Sequence, residues 1–250
     1  MTKPSAFGAI ALAVLSSIVA ALNPAHGQQT GPARASVIEL FTSQGCSSCP
    51  PADRILRQLS EHPGIIALSF PVSYWDYLGW RDTLARPENT KRQRAYAELQ
   101  GDGQVFTPQV VVNGLKSCVG SDLSAIEAAL KSTAAAVSAS AVPLSVRHEN
   151  GKLVIEAGAA PAESRHRNGK IWVVAVRHSL PVAIGSGENA GSTVTYTNVV
   201  RRLVDIGDWE GAPASYALPL SSLPKDEDMV VVLLQAEKLG PILAVAKIEG

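Results

Sequence analysis

Two cysteines separated by two residues, Cys46-Ser47-Ser48-Cys49, stand where a strand-like run meets a helix-like one. No other feature limits the fold of this chain as strongly. Before the pair, Val37 to Phe41 reads V-I-E-L-F, a short apolar run rich in strand formers that suits a buried strand. Ser43-Gln44-Gly45 breaks it. After the pair come Pro50-Pro51 and then Ala52 to Leu59. Here Ile55, Leu56 and Leu59 share one side, while Asp53, Arg54, Arg57 and Gln58 lie elsewhere, the pattern of an amphipathic helix. Prolines are tolerated in a first helical turn because those N–H groups have no intrahelical acceptor. The segment reads strand, Cys-x-x-Cys turn, helix.

That placement has a chemical consequence. A cysteine just before a helix lies near unpaired backbone N–H groups and the positive end of the dipole, both of which favour the thiolate. The thiolate is the species that attacks a disulfide. A second cysteine in the first turn can attack the mixed disulfide that results. Cys46 is assigned as the attacking thiol and Cys49 as the resolving one. Two other readings of a bare Cys-x-x-Cys stay open, a structural disulfide and half of a zinc site. Zinc would need two more ligands at usable spacing. There is no second Cys-x-x-Cys and no His-x-x-x-His; His62, His148, His166 and His178 are scattered. The strand-turn-helix context is the one expected of a redox motif.

The remaining pattern divides in two. Ile65 to Val72 is a second buried strand, followed by the aromatic loop Ser73 to Trp80. Pro87 opens a helix over Glu88 to Leu99, with an acid at the end where the dipole favours it. Thr107-Pro108 enters a strand over Gln109 to Val112. Asn113-Gly114 is a two-residue hairpin signal, and Leu115 to Val119 returns as its partner. Asp122 to Leu130 is a helix with Leu123, Ile126 and Leu130 inward and Ser121 or Asp122 as cap. The order β-α-β-α-β-β-α implies a parallel pair with crossovers and an antiparallel hairpin. Lys131 to Ala141, mostly Ala and Ser, reads as the helix end running into a linker. Beyond it, short strand-like runs begin at Leu144, Lys152, Ile171, Thr193, Ser215, Met229 and Leu243, which suggests an all-β sandwich or barrel.

The N-terminus reads as an address. Lys3 precedes an apolar stretch from Ala6 to Leu22, and Ala25-His26-Gly27 is a small-x-small site, so residues 1–27 are expected to be a cleaved secretory signal. Export to the periplasm or beyond puts Cys46, Cys49 and Cys118 where disulfides persist. Three cysteines are too few for a disulfide-stapled scaffold. With 22 basic and 22 acidic residues the formal net charge is +0, which leaves no excess to collect phosphates. Nucleic acid is not expected as a partner, nor a membrane once the signal is removed.

Val37 to Leu130 resembles the thioredoxin superfamily. The resemblance rests on strand-Cys46-x-x-Cys49-helix, on Thr107-Pro108 entering a strand, and on Asn113-Gly114 between the last two strands. It implies that Pro108 is a cis-proline facing the disulfide and that the Thr107 backbone binds an extended substrate. The whole chain is also similar to a family of secreted bacterial thioredoxin-like proteins of unknown function. That similarity is carried by Val37 to Asp53, the Y-W-D-Y-L-G-W loop, Phe106 to Gly114 and Gly187 to Arg201. Ser47-Ser48 in place of Gly-Pro, and Pro50-Pro51 after the motif, leave the redox direction open.

The expected architecture is therefore a signal at 1–27, an α/β thioredoxin-like domain over 34–133 and an all-β sandwich-like domain over 142–250. The expected function is an exported thiol–disulfide oxidoreductase without cofactor or metal, acting on protein thiols or disulfides with a redox partner protein. The alternatives are a periplasmic binding protein with a structural disulfide and a Cu(I) metallochaperone. Trp75 is assigned to the substrate groove beside Cys46, with core packing as the alternative for its loop. Glu39 reads equally as a proton acceptor for Cys49 and as strand-edge surface. Cys118 reads as a buried, inert thiol.

Overall fold

The computed structural model describes residues 1–2, 29–30, 35–101 and 103–250, so nearly all of the expected signal lies outside the described residues. In chain order the elements are β1 (Gln29–Thr30), β2 (Ser36–Thr42), α1 (Pro50–Ser60), β3 (Ile65–Pro71), α2 (Pro87–Gln100), β4 (Gln109–Val112), β5 (Lys116–Val119), α3 (Leu123–Ala139), β6 (Leu144–Glu149), β7 (Lys152–Ala157), β8 (Gly169–Ala183), β9 (Thr193–Trp209), β10 (Ala214–Pro219), β11 (Met229–Ala236) and β12 (Ile242–Glu249). No helix among the described residues is long and apolar enough to cross a membrane.

The elements form where the pattern of residues puts them. Asp122 caps α3 by accepting from the Ala125 N–H at 3.0 Å. Asn113 and Gly114 both have positive φ, at 54° and 69°, as a primed hairpin turn requires. A side chain at position 114 would also collide with the Gly240 carbonyl, 2.5 Å from where its Cβ would sit. One boundary differs: α3 does not stop at Leu130 but continues to Ala139. Alanine is the strongest helix former, so the Ala-rich run extends the helix without an apolar stripe to announce it.

The assembly of these elements corrects the expected fold class. The chain does not build a helix-flanked thioredoxin-like domain followed by a β sandwich. It is mostly β, and eight strands drawn from both halves form one mixed sheet in the order β12-β11-β8-β9-β3-β2-β4-β5. β3 pairs in parallel with β2 on one side and with β9 on the other, where Ser69 faces Val199. A second sheet, β1-β6-β7-β10, packs on one face of β8, β11 and β12. On that same face, at the other end of the large sheet, α1 and α3 cover Ile38, Leu40, Val110 and Val112. The opposite face carries a core that crosses the join without interruption, from Val37, Phe41 and Phe70 to Val174, Val231 and Leu233, with Tyr96 of α2 in it.

Polar ties reinforce the join. Asn198, in the left-handed region at φ 48°, donates from Nδ2 to the Ala67 carbonyl at 2.9 Å. Ile242 N–H donates to the Asn113 carbonyl at 3.0 Å. Arg92 on α2 pairs with Glu39 on β2, Nε to Oε1 at 2.7 Å, and reaches Gln235 on β11 at 2.9 Å. Such ties between residues distant in sequence leave no periodic trace, whereas the strands themselves do.

Candidate functional site

The end of β2 and the start of α1 hold Cys46 and Cys49, which are joined as a disulfide with their Cα atoms 5.4 Å apart. Ser43 to Ser48 forms the turn between them. Cys49 occupies the N-cap position of α1, and its carbonyl accepts from Ala52 and Asp53 at 2.8 and 3.1 Å. Pro50 and Pro51 follow, so the first two helical positions offer no N–H. Ser47 and Ser48 are exposed, while Cys46 is 3% exposed and Cys49 is closed to solvent.

The other sequence-predicted residues lie around this turn. The Thr107-Pro108 peptide bond is cis. Pro108 is buried; at Gly120 an added Cβ would sit 3.1 Å from Pro108 and 3.3 Å from Ala52 of α1, so the proline borders the helix that carries the cysteines. Thr107 accepts from Trp75 Nε1 at 2.7 Å through its hydroxyl. Trp75 in turn lies against Gly45, where a Cβ would be 3.0 Å from its own, and its ring stacks with exposed Tyr77 at 6.3 Å between centroids. Cys46, Cys49, Thr107, Pro108 and Trp75 thus belong to one neighbourhood.

The turn is held from two sides. Asp82 accepts the Gln44 N–H at 2.8 Å and also those of Leu84 and Ala85. Gln44 accepts from Trp80 Nε1 at 2.7 Å. From the second half of the chain, the connection between β8 and β9 closes over the same turn. Asn189 donates from Nδ2 to the carbonyls of Gln44 and Cys46, both at 2.9 Å. Glu188 accepts the Ser47 N–H at 3.3 Å. The Gly187 to Arg201 motif therefore contributes directly to the cysteine turn through its first residues.

Asp53 is the residue that the sequence pattern concealed. It sits one helical turn after Cys49, 3% exposed, and neither of its oxygens nor the nearby Thr42 hydroxyl completes a hydrogen bond. Burial pushes its carboxyl up to about 7, with Asp82 adding to the rise and Thr42 and Arg54 opposing it. Burial and the same two acids also raise the Tyr196 phenol. Read as one acid among Arg54, Arg57 and Gln58, Asp53 looks like solvated helix surface. The available signal was its spacing of four from Cys49, which sets the two residues on one side of the helix.

Glu39 takes neither of its expected roles. Alternation along β2 puts Ile38 and Leu40 under α1 and turns Glu39 to the opposite face, beside Val37 and Phe41. There it meets Arg92, and Tyr96 donates to it at 2.5 Å. Cys118 is half-buried and free on β5; burial, and then Asp122, push its thiol up to about 11. Among the described residues no three His, Cys, Asp or Glu side chains gather into a group that could hold a metal.

The fold and site define a mixed-β protein with a Cys-x-x-Cys disulfide at a helix start, braced by both halves of the chain. The chain belongs to the family described as protein of unknown function DUF1223, whose pattern matches residues 37–235. It is similar to a crystal structure of a structural-genomics target protein from Agrobacterium tumefaciens, at 32% identity over 86% of this chain and 94% of that one, with a TM-score of 0.74. HBP35 of Porphyromonas gingivalis has a related fold, with a TM-score of 0.56 at 9% identity over 89% of this chain and 76% of that one. No curated protein matches the chain.

Proposed function

We propose that this protein is an exported thiol–disulfide oxidoreductase working through Cys46 and Cys49. The observation that carries this reading is the disulfide at the N-cap of α1 with the buried, uncompensated Asp53 one turn behind it. A buried carboxyl that holds its proton up to about pH 7 suits an exchanging disulfide, which releases and recovers a proton at Cys49. Kinship with the thioredoxin superfamily is part of the proposal. It is supported locally, by the strand-turn-helix setting of the cysteines and the cis Thr107-Pro108 bond beside them, and does not extend to the whole-chain architecture.

The exchange balances as follows. A substrate thiolate attacks Cys46 Sγ, forming a mixed disulfide and releasing Cys49 as a thiolate, which takes the Asp53 proton. A second substrate thiolate then attacks the substrate sulfur and displaces Cys46. The substrate leaves oxidised and the cysteine pair reduced. In the reverse direction Cys46 attacks a substrate disulfide, and Cys49 gives its proton back to Asp53 as it closes the ring. The protein substrate and a redox partner that resets the pair belong to the proposal.

One observation favours the rival reading of a binding protein with a structural disulfide: both cysteines are almost closed to solvent beneath Glu188 and Asn189. Turnover separates the two. The mature chain should either reduce insulin with dithiothreitol as electron source or oxidise a reduced protein substrate, and Cys46→Ser should abolish it. Absence of both activities in a chain whose disulfide is intact would support the structural reading, and stoichiometric Cu(I) uptake by the reduced pair would support the metallochaperone.

A further inference from the structure

The last residue of the Gly187 to Arg201 motif lies away from the cysteines, at a cleft that the redox reading leaves unused. The cleft has a volume of about 500 Å³ and lies between the start of α2 and the middle of β9, bordered by Arg86, Glu88, Asn89, Arg201, Arg202 and Asp205 among others. Its shape follows from an irregularity in the ladder. Along β8 and β9, Val176 faces Val200 and Ala175 faces Arg202, so Arg201 is an extra residue with no partner. A bulge of this kind bends the strand and re-aims its side chains, and bulges concentrate beside functional sites. Here both Arg201 and Arg202 border the cleft that Arg86, the N-cap residue of α2, enters from the other side.

Three guanidinium groups at one cleft call for acceptors. Among the described residues none of the three has a carboxylate within ion-pairing distance, whereas neighbouring Arg177 lies 3.3 and 3.1 Å from the carboxylates of Asp226 and Asp228. Arg86 Nε is sealed from solvent and bonded to nothing. A buried donor without an acceptor is costly, and one on a charged group more so. Two acids border the cleft. Asp205 is held by Lys170 at 2.8 Å, and Glu88 is exposed with no ion-pair partner among the described residues. The Arg201 guanidinium lies below its ordinary value, first because it is partly buried and then because Arg86 repels it, with Arg177 adding to this and Asp226 opposing. The positive end of α2 points the same way.

We propose that this cleft binds a small oxyanion, the phosphate or carboxylate group of a solute, with Arg86 and Arg201 as its paired donors. The planar fork of each guanidinium matches either group bidentately. The site is independent of the cysteine chemistry and stands whether or not that chemistry is confirmed.

Thermal unfolding of the full chain in sodium phosphate, acetate and chloride at matched ionic strength tests it. A saturable rise in Tm with phosphate or acetate, absent in chloride, is expected, and the stronger of the two identifies the group. In Arg86→Ala/Arg201→Ala the half-saturating concentration should rise about tenfold or more, as expected when charge-assisted hydrogen bonds are lost. Broadening of the phosphate ³¹P resonance by the unaltered chain, reversed by excess acetate, reads the same site without relying on variants. Identical responses to all three salts, or a phosphate response that the folded double variant retains in full, would overturn the proposal.

Discussion

Asp53 is the single residue on which the chemical account depends most. An unfolded aspartate ionises near 3.9, and the folded one at about 7. Between those values the native state holds the extra proton, so stability falls as pH rises through the window, and the loss is complete above about pH 7. Asp53→Asn carries no charge to bury. It is expected to be more stable than the native chain at pH 8, by at most about 4 kcal/mol, and to keep little of that advantage at pH 4. Urea titrations at the two pH values check this. The same substitution should slow dithiol exchange by roughly 100-fold, the usual order for losing a positioned acid or base.

Glu188 is the second residue with a readable consequence. Its carboxylate takes the Ser47 N–H, and Pro50 and Pro51 remove two more donors, so few groups remain to stabilise a Cys46 thiolate. Glu188→Gln removes a negative charge from the turn that carries that sulfur. The alkylation profile of reduced Cys46 should move to lower pH; a profile that does not move would show that Glu188 exerts no field there. The cysteines, Pro108 and Trp75 are legible in the sequence because spacing and residue type mark them. Asp53 and Glu188 are not, because one resembles helix surface and the other acts across 141 residues.

Among the elements, α2 has the least apolar surface and the strongest polar anchor. Arg92 lies over the rings of Phe70, Tyr96 and Trp172 at 5.1–5.8 Å and ties Glu39 to Gln235. Removing one partner of a buried pair strands the other charge. Arg92→Ala should therefore cost about 3–5 kcal/mol in urea unfolding. The connection between β8 and β9 makes a different prediction. Asn189→Ala frees the carbonyls of Gln44 and Cys46, so the disulfide should be reduced faster by dithiothreitol while overall stability changes little. Element positions were legible because strand and helix periods are local. The extra length of α3 was not, since an alanine run supports helix and linker alike without an apolar stripe.

At the scale of the molecule, the lesson lies in Ser69 and Val199. Their pairing joins β3 to β9 and turns two stretches of different texture into one sheet. The change of pattern after residue 141 is real, but it marks where helices end, and the sheet continues across it. The shared core predicts shared unfolding. Trp75 and Trp80 report on the first half and Trp172 and Trp209 on the second; in a variant retaining either pair, tryptophan fluorescence and far-UV circular dichroism should lose their native signals at the same urea concentration, and two separated transitions within one variant would show that the halves fold independently.

The oxidoreductase reading is tested most directly by the midpoint potential of the Cys46–Cys49 couple. It can be measured by equilibrating the full chain with dithiol/disulfide buffers of known potential and trapping free thiols. A midpoint above about −300 mV, in the range of exchanging dithiols, is predicted. A midpoint well below that value would contradict the account and mark the bond as structural.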